Sequence, residues 1–244
     1  MIPKRPTPEI LQRIAAPRRR LIVIGDIHGC FVELSQLLEE IDPGERDVVV
    51  SVGDMTRKGP DPARCLELWQ QRGYLAVRGN NEEKMLQLAK KPRVRRLTLG
   101  REDRTVLARG DLLQYIASWP LAIEVSAANI AVVHGGVYPG MPITEKALGR
   151  AADDVTRLRW IRRSNGDWRS VGKTQEKDSD VLWAEVWEGP RTIVYGHTPL
   201  REPRIDPHAI GLDTGCVYGG WLTAAIYDGK WKFERVRAKK KYAD

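Results

Sequence analysis

The sequence predicts an α/β protein, and two observations carry that prediction. Short apolar runs rich in Val and Ile alternate three times with polar loops and helical patterns between residues 21 and 90. Each run ends in a polar, glycine-containing motif, and ligand-binding groups of α/β sheets gather at such strand ends. Because no repeat or change of composition divides the 244 residues, a single domain with one sizeable core is expected over residues 1–244.

The first part of the chain gives the clearest elements. Apolar, β-branched runs predict strands over residues 21–24, 47–52 and 74–77. Apolar residues at helical spacing predict three helices that follow those strands, over residues 31–41, 62–73 and 82–90. Pro62 suits the first turn of the second helix, and Gly73 closes it.

The later part of the chain is less regular. A helix is predicted over residues 111–119, where Pro120 ends it. Further strands are predicted over residues 121–125, 130–133, 192–195, 209–212, 221–227 and 231–236. Residues 140–180 are rich in charge and show no clear period.

The charge is basic and unevenly distributed. The formal net charge is +8, and much of the excess lies in residues 90–110 and at the C-terminus. A basic surface concentrates polyanions and speeds their arrival. We expect residues 90–110 to form an insert that lies over the site as a lid, and residues 237–244 to form a flexible tail. The alternative is a solvated basic face with no partner.

Cysteine content and hydropathy indicate the cellular compartment in which the protein is expected. The three cysteines are odd in number and far apart in sequence, which argues against a disulfide framework. No apolar run approaches the roughly 18 residues that span a membrane. The basic N-terminus has no apolar segment of the kind found in secretory signals. A cytoplasmic protein with no membrane partner is expected, and its oligomeric state stays open.

Five short motifs concentrate the residues that carry chemistry. They are GDIHG at 25–29, GDMTRKG at 53–59, RGNNE at 78–82, HGG at 134–136 and GHTP at 196–199. Together they offer carboxylate, imidazole and amide groups: Asp26, His28, Asp54, Asn80, His134 and His197. Such a mixture suits two hard or borderline divalent ions, which can clamp a phosphoryl group and generate a hydroxide between them. One histidine alone would be read as a buried structural side chain, but three of the four histidines lie in these motifs.

The order and spacing of the motifs resemble the metallophosphoesterase superfamily, within it the phosphoprotein-phosphatase branch. Within that branch, the chain is similar to the symmetrical diadenosine tetraphosphatases and their ApaH-like relatives in four segments: GDMTRKGPD, VRGNNE, TRLRW and LDTGCVYGGWLTA. The likeness runs from about residue 20 to 236. The last segment is the most discriminating, since GDxHG alone occurs throughout the superfamily. The resemblance implies a calcineurin-like four-layer α/β/β/α sandwich and a metal-dependent phosphatase.

The same resemblance implies a role for each motif residue. It assigns Asp26, His28 and His197 to a first ion, Asn80 and His134 to a second, and Asp54 to a bridge between the two. A hydroxide that bridges the ions would attack phosphorus in line. Manganese is the first choice for both ions, with iron, zinc, magnesium and cobalt as alternatives. Residues proposed to bind phosphate are Arg57, Lys58 and Arg159.

Asn81 departs from the family pattern. The usual GNHE or GNHD reads GNNE, so an amide stands where the family has the histidine that protonates the leaving group. Asn81 is thus placed at a catalytic position, although an amide cannot deliver a proton as imidazole does. Three explanations stay open: a leaving group that needs little acid, another proton donor, or a His-to-Asn exchange introduced to trap a complex. Lys58 also replaces an arginine of the family motif.

Three functions follow from the resemblance and its departures. The first is a phosphohydrolase acting on esters or anhydrides of dinucleoside polyphosphates, capped RNA or polyphosphate. The second is a serine/threonine phosphoprotein phosphatase, and the third is a phosphate-binding protein of low turnover. In each case the partner is a phosphorylated or polyanionic molecule. Aromatic residues in the later half, among them Trp160 and Tyr218, either stack on a base or pack in the core.

Overall fold

The computed structural model describes residues 9–15, 17, 19–92 and 99–244. Its centre consists of two facing β-sheets. In order across the sheet, the five-stranded sheet contains β14 (Trp231–Arg237), β13 (Trp221–Tyr227), β2 (Leu21–Ile24), β3 (Val48–Ser51) and β4 (Leu75–Ala76). The six-stranded sheet contains β1 (Leu11–Ile14), β5 (Ala122–Val125), β6 (Ile130–Val133), β10 (Thr192–Tyr195), β12 (Ala209–Gly211) and β11 (Arg204–Asp206).

An outer layer covers each sheet. The five-stranded sheet is covered by α1 (Phe31–Ile41), α2 (Pro62–Gln71), α3 (Asn80–Ala89), α4 (Arg101–Ala108) and α5 (Gly110–Ser118). The six-stranded sheet is covered by short helices, α6 (Glu145–Arg150) and α7 (Ala152–Val155), and by a small sheet of β8 (Asp167–Gly172), β7 (Trp160–Ser164) and β9 (Val181–Leu182). The predicted four-layer α/β/β/α arrangement is therefore confirmed.

Burial of both sheet faces explains the apolar runs seen in the sequence. In β2, Ile22 and Ile24 pack under the helices, while Leu21 and Val23 face the other sheet. Successive side chains of a strand point to opposite faces, so a strand buried on both faces reads as a continuous apolar run.

Strand direction brings the motifs together. Strands β2, β3 and β4 are parallel, and α1 and α2 make the connections between them. In the other sheet β6 and β10 are also parallel. Each of these strands runs directly into one of the five motifs, so the motifs collect at the carboxyl ends of the strands.

Several elements were absent from the sequence prediction. The strand β1 pairs in parallel with β5, and β7 pairs with β8 in an antiparallel hairpin. The helix α3 begins at Asn80, two residues earlier than predicted. Within the basic insert, residues 101–108 form the helix α4, which packs against α2 and α3. Residues 93–98 lie outside the described residues, so a lid remains a prediction.

The C-terminal segment lies against the core, which differs from the expected flexible tail. The side chain of Glu33, at 0% exposure, accepts hydrogen bonds from the backbone N–H of Lys239 (2.9 Å) and from the Tyr242 hydroxyl (2.8 Å). The N–H groups of Tyr242 and Ala243 donate to the carbonyl of Val217. These bonds explain why a basic segment can be held in place. Among the described residues, no helix combines the length and apolarity needed to cross a membrane.

Candidate active site

Five of the six predicted ligands converge in two overlapping groups. One group contains Asp26, His28 and Asp54, the other contains Asp54, His134 and His197, and in each group the ligand atoms lie within 4.8 Å of one another. Nε2 of His28 lies 3.6 Å from Oδ2 of Asp54, and Nε2 of His134 lies 3.3 Å from Oδ1 of the same carboxylate. Asp54 is thus the residue shared by both groups, as a bridging carboxylate must be.

The grouping of His197 differs from the sequence assignment. The resemblance placed it with Asp26 and His28, whereas its ligand atom lies with those of Asp54 and His134. The His134 and His197 rings are 5.0 Å apart between centroids. Asn80 joins the same side, since its Oδ1 lies 3.1 Å from Nε2 of His134. Spacing along the chain cannot tell which of two adjacent ions a residue faces, and this explains the difference.

Backbone carbonyls orient all three histidine rings. The carbonyl oxygens of Thr56, Val52 and Arg157 lie within hydrogen-bond distance of one ring nitrogen of His28, His134 and His197, at 3.1, 2.8 and 3.1 Å. A carbonyl only accepts, so the nitrogen that faces it carries the proton. In a neutral ring the other nitrogen then keeps its lone pair, which is the usual arrangement of metal-binding histidines.

The pKa values agree with neutral, ligand-ready rings for two of the three histidines. Burial lowers the pKa of His28 to about 4 and that of His197 to about 2, so both rings are neutral near pH 7. Burial also lowers the pKa of His134, but the carboxylate of Asp54 outweighs it and raises the pKa to about 9. The His134 proton lies between Asp54 and Asn80, and a divalent ion binding there would replace it.

Buried carboxylates give a second indication that cations fit this site. Asp26, Asp54 and Asp213 are 4%, 2% and 6% exposed. Burial, reinforced by Asp213, raises the pKa of Asp26 well above its ordinary value. Burial would raise that of Asp54 too, but His134 and His28 hold it well below the usual range. Neighbouring buried carboxylates are unfavourable unless a positive charge compensates them, and divalent ions with these oxygen and imidazole ligands meet that need.

The backbone is strained at the ligands themselves. His28, Asp54 and His197 have φ angles of 46°, 51° and 68°. Non-glycine residues in this left-handed region are uncommon, and each costs on the order of 1 kcal/mol. Arg57 and Lys58 share the same conformation, with φ of 70° and 66°. Strain of this kind collects at functional sites, where the surrounding structure keeps the side chains aimed.

Glu82 fixes the second and third motifs relative to each other, and sequence reasoning missed it. Its fully buried carboxylate accepts the backbone N–H groups of Asp54 (2.8 Å), Thr56 (2.9 Å) and Gly79 (3.0 Å) and the Thr56 hydroxyl (2.8 Å). Burial and Asp54 raise the pKa of Glu82, while its bonds to Thr56 oppose the shift. A Cβ at Gly79 would collide with the Asp54 carboxylate, so glycine is required there. The signal was present, because a glutamate three residues into a helix commonly bonds back to its start.

Asn81 is hydrogen-bonded to the shared carboxylate of Asp54, but its amide cannot act as a general acid. Its backbone N–H donates to Oδ1 of Asp54 (2.8 Å), and its side-chain amide donates to Oδ2. Its own Oδ1 accepts from the Arg57 guanidinium at 3.4 Å, and Arg57 is also paired with Asp103 of α4 at 3.3 Å. Asn81 is thus held beside the candidate ligands, at the position predicted for catalysis.

Two further cations reach the site. The exposed Lys58 places Nζ 3.1 Å from Nε2 of His28 and donates to the Tyr218 hydroxyl at 2.7 Å. The half-buried Arg159 donates from a terminal nitrogen to the His197 carbonyl at 2.6 Å. The structure therefore brings two of the three proposed phosphate-binding residues to the ligands, and the third, Arg57, to Asn81.

The fold and this site define a metal-dependent phosphohydrolase. Comparison with known proteins agrees: a model of the calcineurin-like phosphoesterase family matches residues 19–229, and the chain belongs to that family. The family uses a dinuclear divalent metal centre, which the two overlapping groups of ligands match.

Individual relatives narrow the comparison. The chain is 28% identical to a bis(5'-nucleosyl)-tetraphosphatase PrpE, named as asymmetrical, from Oceanobacillus iheyensis, over 86% of this chain and 90% of that protein. A protein of the same name from Anoxybacillus flavithermus is 29% identical over 84% and 89%. The sequence motifs resemble those of the symmetrical enzymes, whereas both of these relatives are named as asymmetrical.

Solved structures share the fold of this chain. The crystal structure of a candidate diadenosine tetraphosphatase matches with a TM-score of 0.81 and 32% identity, over 94% of this chain and 98% of that one. A serine/threonine phosphatase from Saccharomyces cerevisiae matches with a TM-score of 0.63 at 15% identity, over 95% and 84%. The second likeness concerns the fold alone.

Proposed function

We propose that the chain hydrolyses phosphoanhydride bonds of dinucleoside polyphosphates. The observation that carries the proposal is the pair of ligand groups joined by Asp54, with cationic side chains beside them. At position 81 the side chain next to Asp54 is an amide and not a general acid. The names of the PrpE relatives support the choice of substrate.

Two divalent ions would be held by the six candidate ligands, Asp26, His28, Asp54, Asn80, His134 and His197. When bound, the ions would supply an activated water and offset phosphate charge. The sequence resemblance implies that this water is a hydroxide shared by the two ions. The residues of the chain contribute orientation. The three carbonyls fix the histidine rings, and Glu82 fixes the loops that carry Asp54 and Asn80.

Arg159 is proposed to hold a phosphate oxygen. Its terminal nitrogen is anchored on the carbonyl of His197, whereas its Nε is buried and has no hydrogen-bond partner among the described residues. Leaving a buried donor unpaired costs about 1–3 kcal/mol. An anionic oxygen at the site would satisfy it, and a guanidinium presents two donors side by side to such an oxygen pair.

Lys58 is proposed to hold a second oxygen. The ammonium group is exposed and lies between His28 and Tyr218, so it can move toward an anion without leaving the site. Arg57 is proposed as a weaker contact, since its guanidinium already pairs with Asp103. A compact ammonium binds phosphate as a point charge, without the bidentate geometry of arginine.

The amide of Asn81 fits a substrate whose leaving group needs little protonation. General acid catalysis contributes roughly 10²–10⁴-fold where it operates, and an amide does not provide it. A nucleotide that leaves from an anhydride is already a weak base. Anhydrides are therefore favoured over phosphate esters of serine or threonine.

A substrate panel tests this proposal. Turnover of diadenosine tetraphosphate, a phosphoserine peptide and p-nitrophenyl phosphate is measured with manganese for the wild type and for Asn81→His. We expect the wild type to cleave the dinucleotide in preference to the peptide, and Asn81→His to improve the peptide more than the dinucleotide. Rapid peptide turnover by the wild type would favour the phosphoprotein phosphatase instead. No turnover by either protein despite bound manganese would refute the proposal.

A further inference from the structure

A groove lies between the loop after His197 and the segment that carries Tyr218 and Trp221, and none of the six candidate ligands lines it. It has a volume of about 710 Å³ and is lined by residues 199–202, 214–215 and 218–221 and by Arg237. Small-molecule sites have volumes of about 300–1,000 Å³. Two other cavities, around Trp187 and around Trp168, lack Tyr218, the lining residue that connects the first cavity to Lys58. We call the first one the aromatic groove, because Tyr218 and Trp221 line it.

One side chain joins the aromatic groove to the candidate ligands. The hydroxyl of Tyr218 accepts a hydrogen bond from Lys58, whose Nζ is 3.1 Å from His28. Lys58 also lies 5.1 Å from the centroid of the Tyr218 ring. A molecule held on Tyr218 would therefore extend to the ammonium group and the ligands beyond it.

The two aromatic residues stand on a well-fixed piece of backbone. The hydroxyl of Thr214 donates to the carbonyl of Trp221 at 2.7 Å, and the N–H of Trp221 returns a bond to the carbonyl of Thr214 at 3.0 Å. The N–H of Ala238 donates to Gly220 at 2.9 Å, which ties the loop to the C-terminal segment. A Cβ on Gly220 would collide with the carbonyl of Thr214. Both rings are thus positioned before any ligand arrives, which reduces the cost of binding.

The charge of the groove is positive. Arg235 is paired with Glu202, which neutralises the acidic residue of the lining. The exposed guanidinium groups of Arg201 and Arg237 make no ion pair with any described residue. The guanidinium carbons of Arg235 and Arg237 lie 4.9 and 5.6 Å from the centroid of the Trp221 ring. Both guanidinium groups lie over the ring, and a nucleobase can stack on guanidinium planes as well as on aromatic rings, while the cations attract the phosphates attached to it.

We propose that the aromatic groove binds one nucleoside of a nucleoside polyphosphate, with its base against Trp221 and Tyr218 and its phosphates toward Lys58 and Arg201. The inference rests on the proposed function and adds the residues that select a nucleotide over inorganic phosphate chains. Base stacking tolerates any base, so little preference among purine nucleotides is expected.

Steady-state kinetics with two substrates, one that contains nucleosides and one that does not, test whether the groove binds a nucleoside. The substrates are diadenosine tetraphosphate and inorganic tripolyphosphate, which offers anhydride bonds but no base. Trp221→Leu is expected to raise the KM for the dinucleotide about tenfold and to leave tripolyphosphate within about twofold. Trp221→Phe should recover most of the loss. Trp168→Leu, in another cavity, is the matched control and should change neither substrate.

The outcomes separate a nucleoside site from a structural role. Equal losses on both substrates would mean that Trp221 only supports the fold, and an unchanged KM for the dinucleotide would refute the groove. Arg201→Gln should also raise the KM for the dinucleotide, with Arg169→Gln as its control in the cavity around Trp168.

A binding measurement keeps the two proposals distinct. If the wild type cleaves tripolyphosphate but no dinucleotide, the proposed function fails. Equilibrium dialysis with AMP then still tests the groove, because Trp221→Leu should weaken AMP binding about tenfold relative to the wild type. Equal AMP binding by both proteins would overturn the inference whatever the substrate proves to be.

Discussion

The two regions that build the site differ in how completely the polar groups near the candidate ligands are paired. In residues 26–82 the carboxylate of Glu82 accepts four hydrogen bonds, and Asp54 is bonded to Asn81 and faces two histidines. In residues 159–221, by contrast, the Nε of Arg159 is buried without a hydrogen-bond partner in the described part of the chain, and Tyr218 and Trp221 are half-buried beside an open groove. The first region is arranged to hold ions in fixed positions, and the second leaves donors and surfaces for a substrate.

Removal of the shared carboxylate should have the largest effect. Asp54→Asn removes the charged ligand common to both groups. The side-chain NH2 of the asparagine would face the His134 proton or a bound cation and repel it. Losing charge stabilisation worth several kcal/mol lowers turnover by more than about 10³-fold. The checks are metal content after dialysis against manganese and turnover of diadenosine tetraphosphate. Asp178→Asn, at an exposed position, is the control. Full metal content with normal turnover would show that residues 26–82 do not form the ion site.

Glu82→Gln should have an intermediate effect. The amide that replaces one oxygen would face backbone N–H groups, so at least one buried donor loses its partner. We expect a free energy of unfolding lower by about 1–3 kcal/mol and a manganese affinity weaker by roughly 10–100-fold. Urea unfolding and metal titration measure the two changes separately.

The neighbouring Glu83→Gln is a suitable control for that experiment. Glu83 pairs with Arg78 at 2.9 Å and contacts no candidate ligand through the bonds described. Its loss should cost at most about 1 kcal/mol and leave manganese affinity unchanged. Equal metal affinities for the two variants would show that the Glu82 bonds do not position the ligands.

Arg159→Lys should have the smallest effect, and it should be confined to the substrate. A lysine keeps the charge but loses the bidentate donors and the bond to the His197 carbonyl. We expect the KM for diadenosine tetraphosphate to rise about tenfold, which corresponds to about 1.4 kcal/mol. Manganese affinity should stay within twofold of the wild type, about the precision of a titration, because no ligand is removed. A comparable loss of metal binding would mean that this region also shapes the ion site.

The strands that lead into the motifs could be predicted from sequence because they are largely buried on both faces. The run Leu21–Ile24 is apolar at every position, which leaves a buried strand as its simplest structure, and the motif after it follows directly. The same logic predicts that Asp26, Asp54, Asn80, His134 and His197 follow the carboxyl ends of strands, and the structure has them there. Their convergence depends on parallel strands with a common orientation, which the alternation of strands and helices predicts.

The elements that were missed are half-exposed or depend on tertiary contacts. The hairpin of β7 and β8 carries charged residues, but its two-residue turn, Asn165–Gly166, has φ of 53° and 89° and is a recognised hairpin signal. The strand β1 is four residues long and, among the described strands, pairs with β5 alone, far along the chain. The role of Glu82 and the side on which His197 lies are set by distances in space, which spacing in sequence does not encode.

The left-handed backbone at His28, Asp54 and His197 limits any attempt to change the preferred metal by directed evolution. Histidine, aspartate and asparagine enter that conformation more readily than most residues, whereas valine, isoleucine and threonine are strongly disfavoured there. A library built on these three codons would therefore recover folded variants mainly within that narrow set. Changes aimed at redox tuning or at softer ions should instead be introduced at Asn80, whose place at the start of α3 accepts a wider choice of side chains.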